Sequence, residues 1–364
     1  MNIIQFVTNA DRAGAPNHLL ILASFLSRQG HSVTCVFGNE GPICTDLFNK
    51  GISTYCLRSL KSNFNIFSSL LSIYRFWKIV YSLSPDLIHV HSSSAAFVAR
   101  IVGFICNVKV IYTVHGFGFG RGKPIFQSLV SYLIELFLSR IPKAYIFVSS
   151  NDLTIGSNRL FLSANKIFLV PNGIPDLQSH LFNKIVPSVD CLMLARVHPQ
   201  KDYLTLFRAL HESPFTLSVA GSGTDSPQFI SFASKLLGPL ISNVRFLGDV
   251  VDVSSLISTH KVIVLSSVYE SLPISLIEGL RASKPLIATR VGDNDKLVLP
   301  GENGFLFEYG DYKSLATFVS RIIQNSIVQS DMGKQSRFLF ENLYTSDIMC
   351  DRIVKIYDSC FASV

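Results

Sequence analysis

The sequence predicts an α/β protein built from two Rossmann-like halves, each a parallel sheet wrapped by helices. Three observations carry that prediction. Short apolar runs of strand length alternate along the chain with segments whose apolar residues recur at helical spacing. A β-loop-α-β opening at the N-terminus starts a second time at Cys191-Leu192-Met193-Leu194-Ala195. Between the two starts, Val170-Pro171-Asn172-Gly173-Ile174-Pro175 concentrates turn formers, and 176–189 is polar with little periodicity. These features divide the chain into a first domain (1–175), a linker (176–189), a second domain (190–342) and a last helical segment (343–364).

In the first half, a strand at 2–7 leads through a loop to a helical face with Leu19, Leu20, Leu22, Ala23 and Leu26, then to a strand at 32–37. The loop lacks G-x-G-x-x-G, so a dinucleotide fingerprint is absent; its Ala13-Gly14 leaves one glycine to admit a ligand or simply to make a turn. Further strands are expected at 52–56, 87–91, 108–114, 144–148 and 167–170. The segment 64–81 is apolar, aromatic and basic, with Phe64, Phe67, Leu70, Leu71, Tyr74, Phe76 and Trp77 beside Arg75 and Lys78. Such a helix either lies on an anionic membrane or packs on a core with its basic ends in water. Thr113-Val114-His115-Gly116-Phe117-Gly118 ends a strand with a histidine beside glycines, and continues to Arg121 and Lys123. Apolar rings and cations on one loop suit a lipid-linked, phosphorylated acceptor; an ordinary surface loop fits as well.

In the second half, Arg196 and Lys201 flank one strand-to-helix loop, so both cations are expected to converge on a single anion. A strand at 215–220 ends in Gly221-Ser222-Gly223, a tight loop that allows close approach of a ligand. The apolar run 261–265 opens the most informative stretch, Ser266-Ser267-Val268-Tyr269-Glu270-Ser271-Leu272-Pro273-Ile274-Ser275-Leu276-Ile277-Glu278. Pro273 sits where a first helical turn tolerates it, which places Glu270 in a loop at a strand's carboxyl end and Glu278 one to two turns into a helix. Open α/β sheets bind ligands there, and a helix start offers N–H groups to an anion. Read alone, Glu270 is equally a helix-terminal charge and Glu278 a solvated one. Strands at 284–290 and 303–307 and helices at 312–324, 332–342 and 346–360 complete the chain.

Composition excludes several classes. Hydrophobic residues make up 48% and charged residues 16% of the chain, with mean hydropathy +0.36, yet Arg100 and Glu135 interrupt the longest apolar stretches. Neither stretch reaches the ~20 apolar residues of a spanning helix. The N-terminus has no basic region or cleavage signal and reads as a strand. Seven cysteines without C-x-x-C spacing suggest reduced thiols in a cytoplasmic protein and indicate no metal site. Lys and Arg outnumber Asp and Glu by 15 to 6 over 1–175, whereas 176–364 holds 17 against 19. The basic residues are scattered and come without a nucleic-acid motif, so a phosphorylated substrate or an anionic membrane surface is the better partner for the first half, and nucleic acid is not expected.

The spacing from Glu270 to Glu278 resembles the Glu-x7-Glu signature of retaining glycosyltransferases of family four, which have the GT-B fold. Ala13-Gly14, His115, Pro171-Asn172-Gly173, Arg196 with Lys201, and Gly248-Asp249-Val250 match other segments of that family. Glu278-Gly279-Leu280-Arg281-Ala282 replaces its usual Glu-Ala-Met-Ala, and Val291-Gly292 its Gly-Gly turn. The resemblance implies two Rossmann-like domains with an interdomain cleft, and a final helix returning to the first domain. It implies transfer of a sugar, with retention, from a nucleotide-diphosphate sugar, most simply a UDP-sugar, to a glycan hydroxyl, with no cofactor and no metal. Arg196, Lys201 and the N–H groups around Ser271, Leu272, Pro273, Ile274 and Ser275 would neutralise the departing diphosphate. Glu278 would hold the ribose and Glu270 the donor sugar, with His115 nearby. Gly14, Gly221 and Val250 would line the donor, and Gly116, Phe117, Arg121 and Lys123 the acceptor. A polyprenyl-diphosphate-linked oligosaccharide of O-antigen or capsule synthesis, met at the cytoplasmic membrane face, is the acceptor that fits. A nucleotide-sugar epimerase and a non-catalytic binding module are the rivals; the second predicts damaged pyrophosphate contacts, and none of those residues is missing.

Overall fold

The computed structural model describes residues 1–61, 66–119, 124–176 and 187–362, with the side chain of Ile66 excepted. Two compact units emerge. One comprises Met1–Pro175 with Ser346–Val364, the other Asp176–Thr345.

The first unit runs β1 (Asn2–Phe6), α1 (Gly14–Arg28), β2 (Ser32–Phe37), α2 (Pro42–Phe48), β3 (Ser53–Cys56), α3 (Ile66–Leu83), β4 (Leu87–Val90), α4 (Ser93–Ile105), β5 (Lys109–Val114), α5 (Ile125–Leu138), β6 (Ala144–Phe147), α6 (Ser150–Leu160) and β7 (Ile167–Leu169). Its seven strands are all parallel, in the order β3-β2-β1-β4-β5-β6-β7. Strands buried on both faces read as continuous apolar runs, which is why Leu87–Val90 and Ala144–Phe147 are wholly buried. Helices cover both faces. On one face Leu19, Leu22 and Leu26 of α1 pack with Ile43 and Leu47 of α2; on the other, Phe76 and Val80 of α3 pack with Val98 and Val102 of α4.

The last helix belongs to this unit, as the family resemblance implies. Met349, Cys350, Ile353, Ile356 and Tyr357 of the C-terminal Ser346–Phe361 are buried in the same core as α1. Tyr357 reaches the sheet itself, accepting from Gln5 Nε2 at 3.0 Å.

The second unit runs β8 (Val189–Leu194), α7 (Tyr203–Glu212), β9 (Leu217–Ala220), α8 (Pro227–Leu237), β10 (Val244–Phe246), α9 (Val253–Ser258), β11 (His260–Leu265), α10 (Ile274–Arg281), β12 (Leu286–Thr289), α11 (Asn294–Leu297), β13 (Gly304–Phe307), α12 (Tyr312–Ile323) and α13 (Ser326–Leu343); the C-terminal helix is α14. Six parallel strands lie in the order β10-β9-β8-β11-β12-β13. In both sheets the strand order reverses once, between β1 and β4 and between β8 and β11. Loops leaving the carboxyl ends at such a reversal diverge and open a crevice for ligands.

The expected membrane-type helix falls within α3, with Phe64 outside the described residues. It divides its surface: Ser72, Phe76 and Val80 face inward, while Phe67, Leu70, Leu71, Tyr74 and Tyr81 are exposed beside Arg75 and Lys78. A more apolar exposed face lies on α5, where Ile125, Phe126, Leu129, Leu133 and Phe137 all point outward. Glu135, which interrupts that apolar run in the sequence, is buried and accepts from Arg100 Nη1 of α4 at 2.7 Å. The one acid of α5 is therefore turned away from the exposed face. Among the described residues no helix is long and apolar enough to cross a membrane.

Candidate active site

In the second unit the sheet brings the loop after β8 beside the loop after β11. Lys201 follows β8 and Glu270 follows β11, so the two flank the strand-order reversal, and Lys201 Nζ forms a short ion pair with Glu270 Oε1. Ser267 Oγ donates to the same carboxylate oxygen at 2.6 Å. Backbone contacts hold the loops together: Val268 N donates to Gln200 O at 2.7 Å, and Gln200 Nε2 donates to Tyr269 O at 2.7 Å. Ser266 Oγ, fully buried, donates to the carbonyls of Lys201 and Asp202 at 3.1 and 3.0 Å. Asp202 adopts a left-handed turn (φ +40°) and caps α7. The lysine is thus fixed at its backbone, while 15% of its side chain remains open to solvent.

Arg196 is exposed on the same loop. Its charge and that of Lys201, after burial, are what disfavour protonation of His198, which places both cations close to that imidazole. The expected pairing of Arg196 and Lys201 on one anion therefore takes the form of a guanidinium with no ion pair among the described residues beside a lysine already held by Glu270.

The helix that follows begins without a side-chain cap. Pro273 is the N-cap, not the first helical residue, and α10 starts at Ile274. A proline side chain offers no acceptor, so the first N–H groups of α10, those of Ile274 and Ser275 among them, have no side-chain cap from the N-cap residue. Leu272 is buried beneath the turn, and Ser271 O accepts from Asp293 N at 3.1 Å. Gly292 shows why that turn tolerates Val291 but needs the glycine after it. Its φ is +54°, and a Cβ there would lie 2.0 Å from the carbonyl oxygen of Glu270.

Glu278 lies on the second turn of α10 with part of its surface exposed. Burial pushes its carboxyl from an ordinary 4.5 up to about 7, against the pull of Arg281. Among the described residues no ion pair holds it in the manner of Glu270. Gly221 has φ +131° and would place a Cβ 2.7 Å from the Ala195 carbonyl group, so a side chain there would push the Arg196 loop off its strand. Gly221 N donates to Gly248 O at 2.7 Å, and Val250, half-buried, follows at the end of β10.

In the first unit Gly14 is the exposed first residue of α1 and is not among the glycines with positive φ. Gly116 does turn left-handed, at φ +125°. Phe117 stacks on Phe119 at 4.7 Å and lies 6.1 Å from Phe147, while Phe119 meets Tyr132 edge-on. The rings expected to greet an acceptor are thus packed on their own unit; Arg121 and Lys123 lie outside the described residues. His115 sits 4.8 Å in ring-centre distance from His18 and 5.9 Å from His91, two histidines the sequence reading did not single out. Burial holds His18 down to about 4 and keeps His91 and His115 well below the usual imidazole range, so all three are neutral at pH 7.

Two family models divide the chain between them. Residues 12–176 match Glycosyltransferase Family 4, and residues 183–338 match Glycosyl transferases group 1. The chain is a glycosyltransferase of family 4. Over 353 residues it is 23% identical to UDP-Gal:alpha-D-GlcNAc-diphosphoundecaprenol alpha-1,3-galactosyltransferase of Escherichia coli, covering 91% of this chain and 90% of that protein. It is 23% identical over 318 residues to the capsular polysaccharide biosynthesis glycosyltransferase CapM of Staphylococcus aureus, covering 82% of this chain and 83% of that one. Among solved structures, Anabaena Alr3699/HepE in complex with UDP and glucose superposes with a TM-score of 0.84 at 18% identity, over 99% of this chain and 100% of that one. The glycosyltransferase thus has the GT-B fold.

Proposed function

We propose that this glycosyltransferase takes a sugar from a UDP-sugar and transfers it, with retention and without a metal, to a hydroxyl of a polyprenyl-diphosphate-linked glycan in surface-polysaccharide synthesis. One observation carries the reading: the Lys201–Glu270 pair and exposed Arg196 stand at the strand-order reversal of the second sheet, whose loop leads directly into the uncapped start of α10. Cations and free N–H groups there suit the charge that builds on a departing diphosphate, the largest rate contribution such a site offers. The UDP-bound Anabaena neighbour and the UDP-galactose specificity in the name of the E. coli relative support UDP as the nucleotide. That relative's diphosphoundecaprenol acceptor supports the lipid-linked class.

In the proposed reaction the bond between the anomeric carbon and the β-phosphate oxygen breaks as the acceptor oxygen bonds to the same face. The acceptor proton passes to the leaving phosphate oxygen. Arg196, Lys201 and the α10 N–H groups hold that phosphate, Glu278 accepts from the ribose hydroxyls, and Glu270, oriented by its ion pair with Lys201, accepts from hydroxyls of the sugar. His115 supplies a neutral imidazole to the substrate. The outward apolar faces of α3 and α5, on the unit with the basic excess, support peripheral contact with an anionic membrane surface.

The test is a transfer assay with a panel of UDP-sugars and polyprenyl-diphosphate glycans, reading UDP release and product anomer. An α-linked product from an α-linked UDP-sugar supports the proposal. An inverted product, a requirement for added divalent metal, or a covalent sugar trapped on any carboxylate overturns it.

A further inference from the structure

The carboxyl ends of β4 and β5 and the second turn of α1 bring His91, His115 and His18 together at the strand-order reversal of the first sheet. One ring nitrogen from each lies within 4.8 Å of the other two. His18 Nε2, His91 Nδ1 and His115 Nε2 are all buried and have no hydrogen-bond partner among the described residues. Three unpaired polar atoms at one spot are unusual, because burying such groups without a partner is costly.

The surrounding bonds fix which nitrogen is left over. His18 Nδ1 donates to Asn172 Oδ1 at 3.1 Å. His91 Nε2 donates to Gln5 Oε1 at 2.6 Å, and Gln5 Nε2 donates in turn to Tyr357 Oη at 3.0 Å. The Tyr357 hydroxyl also shares a hydrogen bond with His89 Nδ1 at 2.5 Å, and His89 Nε2 shares one with Thr113 Oγ1 at 2.7 Å. Because His18 Nδ1 and His91 Nε2 donate to amide oxygens, the other nitrogen of each neutral ring carries a lone pair. An imidazole whose far N–H is held by an amide oxygen is the usual condition of a histidine that ligates a metal.

We propose that His18, His91 and His115 form a binding site for a divalent transition metal ion of the zinc class, held by three neutral imidazoles. Metal–nitrogen bonds of about 2.0–2.1 Å set tetrahedral donors roughly 3.3 Å apart. Loading therefore draws in the widest pair by no more than about 1.5 Å, within reach of side-chain rotation. His115, partly exposed, gives the ion its way in. The ion occupies the His115 imidazole that the proposed transfer uses, so it acts on that reaction as an inhibitor; this consequence alone rests on the proposed function.

The experiment titrates Co2+ into the chelator-treated, untagged full-length protein, follows the visible absorption of nitrogen-ligated cobalt, and competes with Zn2+. A single saturable site with a tetrahedral spectrum, displaced by Zn2+, is expected. His18→Ala and His91→Ala should abolish the band, and His211→Ala, an exposed histidine of the second unit, should keep it. Gln5→Met, which leaves all three ligands in place, should weaken binding about 10–100-fold. No band in the wild type, or a band that survives His18→Ala, overturns the site, and the wild-type measurement needs no variant to fold. UDP stabilisation measured on the same preparation separates the two proposals: losing one signal leaves the other standing.

Discussion

Replacing Glu278 by glutamine isolates the one carboxyl of the candidate donor site that lacks a cationic partner of the Lys201 kind. Burial raises this carboxyl from 4.5 to about 7. Its folded-state pKa therefore lies above its unfolded one, and between the two values the folded chain holds a proton that the unfolded chain has released. Folding is favoured most below the unfolded value, and that advantage is lost as pH rises through about 7. The gap of 2.5 units, at ~1.36 kcal/mol per unit, corresponds to about 3 kcal/mol of destabilisation at about pH 8. Glutamine keeps the size of the side chain and removes the charge. At about pH 8 the variant should melt higher by up to about 6–12 °C, since ~1 kcal/mol moves a unit of this size by ~2–4 °C. At about pH 3.5–4, below the unfolded value, the two proteins should melt together. Scanning calorimetry across this range reads both limits. The same variant should lose its stabilisation by UDP, because a ribose hydroxyl gains more from a carboxylate than from an amide. A Glu278→Gln protein less stable than wild type at about pH 8, or a difference that does not change with pH, would refute the reasoning.

Further predictions concern the neighbouring groups. Lys201→Met removes the ion pair from the Glu270 carboxylate, 9% exposed, while Ser267 still donates to it, and should cost about 2–3 kcal/mol in urea or thermal melts. Adding Glu270→Gln should restore most of that stability but not the response to UDP; regained UDP binding in the double variant would make the pair structural. Gly292→Ala forces a Cβ onto the Glu270 carbonyl and should lower stability by about 2–4 kcal/mol and weaken UDP binding in calorimetric titration. Phe126→Ser with Phe137→Ser, both on the exposed face of α5, should reduce co-flotation with anionic vesicles while leaving the melting curve within about 1–2 °C. Incubation with a chelator should leave the rate of transfer unreduced in a coupled UDP-release assay.

How much of this was legible in the sequence follows from the range of the interactions. Buried parallel strands are apolar throughout, so Ser32–Phe37 could be read directly, and other strands differ from expectation by a residue or two at their ends. The strand-to-helix step around Glu270 and Glu278 is local, and so was readable. The Lys201–Glu270 pair was not, because it spans 69 residues and exists only because β8 and β11 are neighbours. That Glu278 is half-buried instead of solvated likewise depends on its surroundings, not on its spacing. Glu135 looked like an interruption of an apolar helix; its partner Arg100 lies on another helix, and the pair turns α5 so that its apolar side is exposed. His18 and His91 gave one faint signal, polar rings beside otherwise apolar strand and helix faces, and only the sheet order brings them to His115.

The central claim is that the second unit holds a nucleotide-sugar donor through Arg196 and Glu278, and binding is its most direct test. We would measure thermal stabilisation of the full-length protein by a panel of nucleotides and nucleotide sugars, with Arg196→Ala and Glu278→Ala beside the wild type. A ligand that binds only the folded chain raises its stability by about 2.7 kcal/mol at a hundredfold excess over Kd. Stabilisation by UDP and UDP-sugars in the wild type, absent from both variants, is the predicted result. No response to any nucleotide, or an undiminished response in both variants, would contradict it.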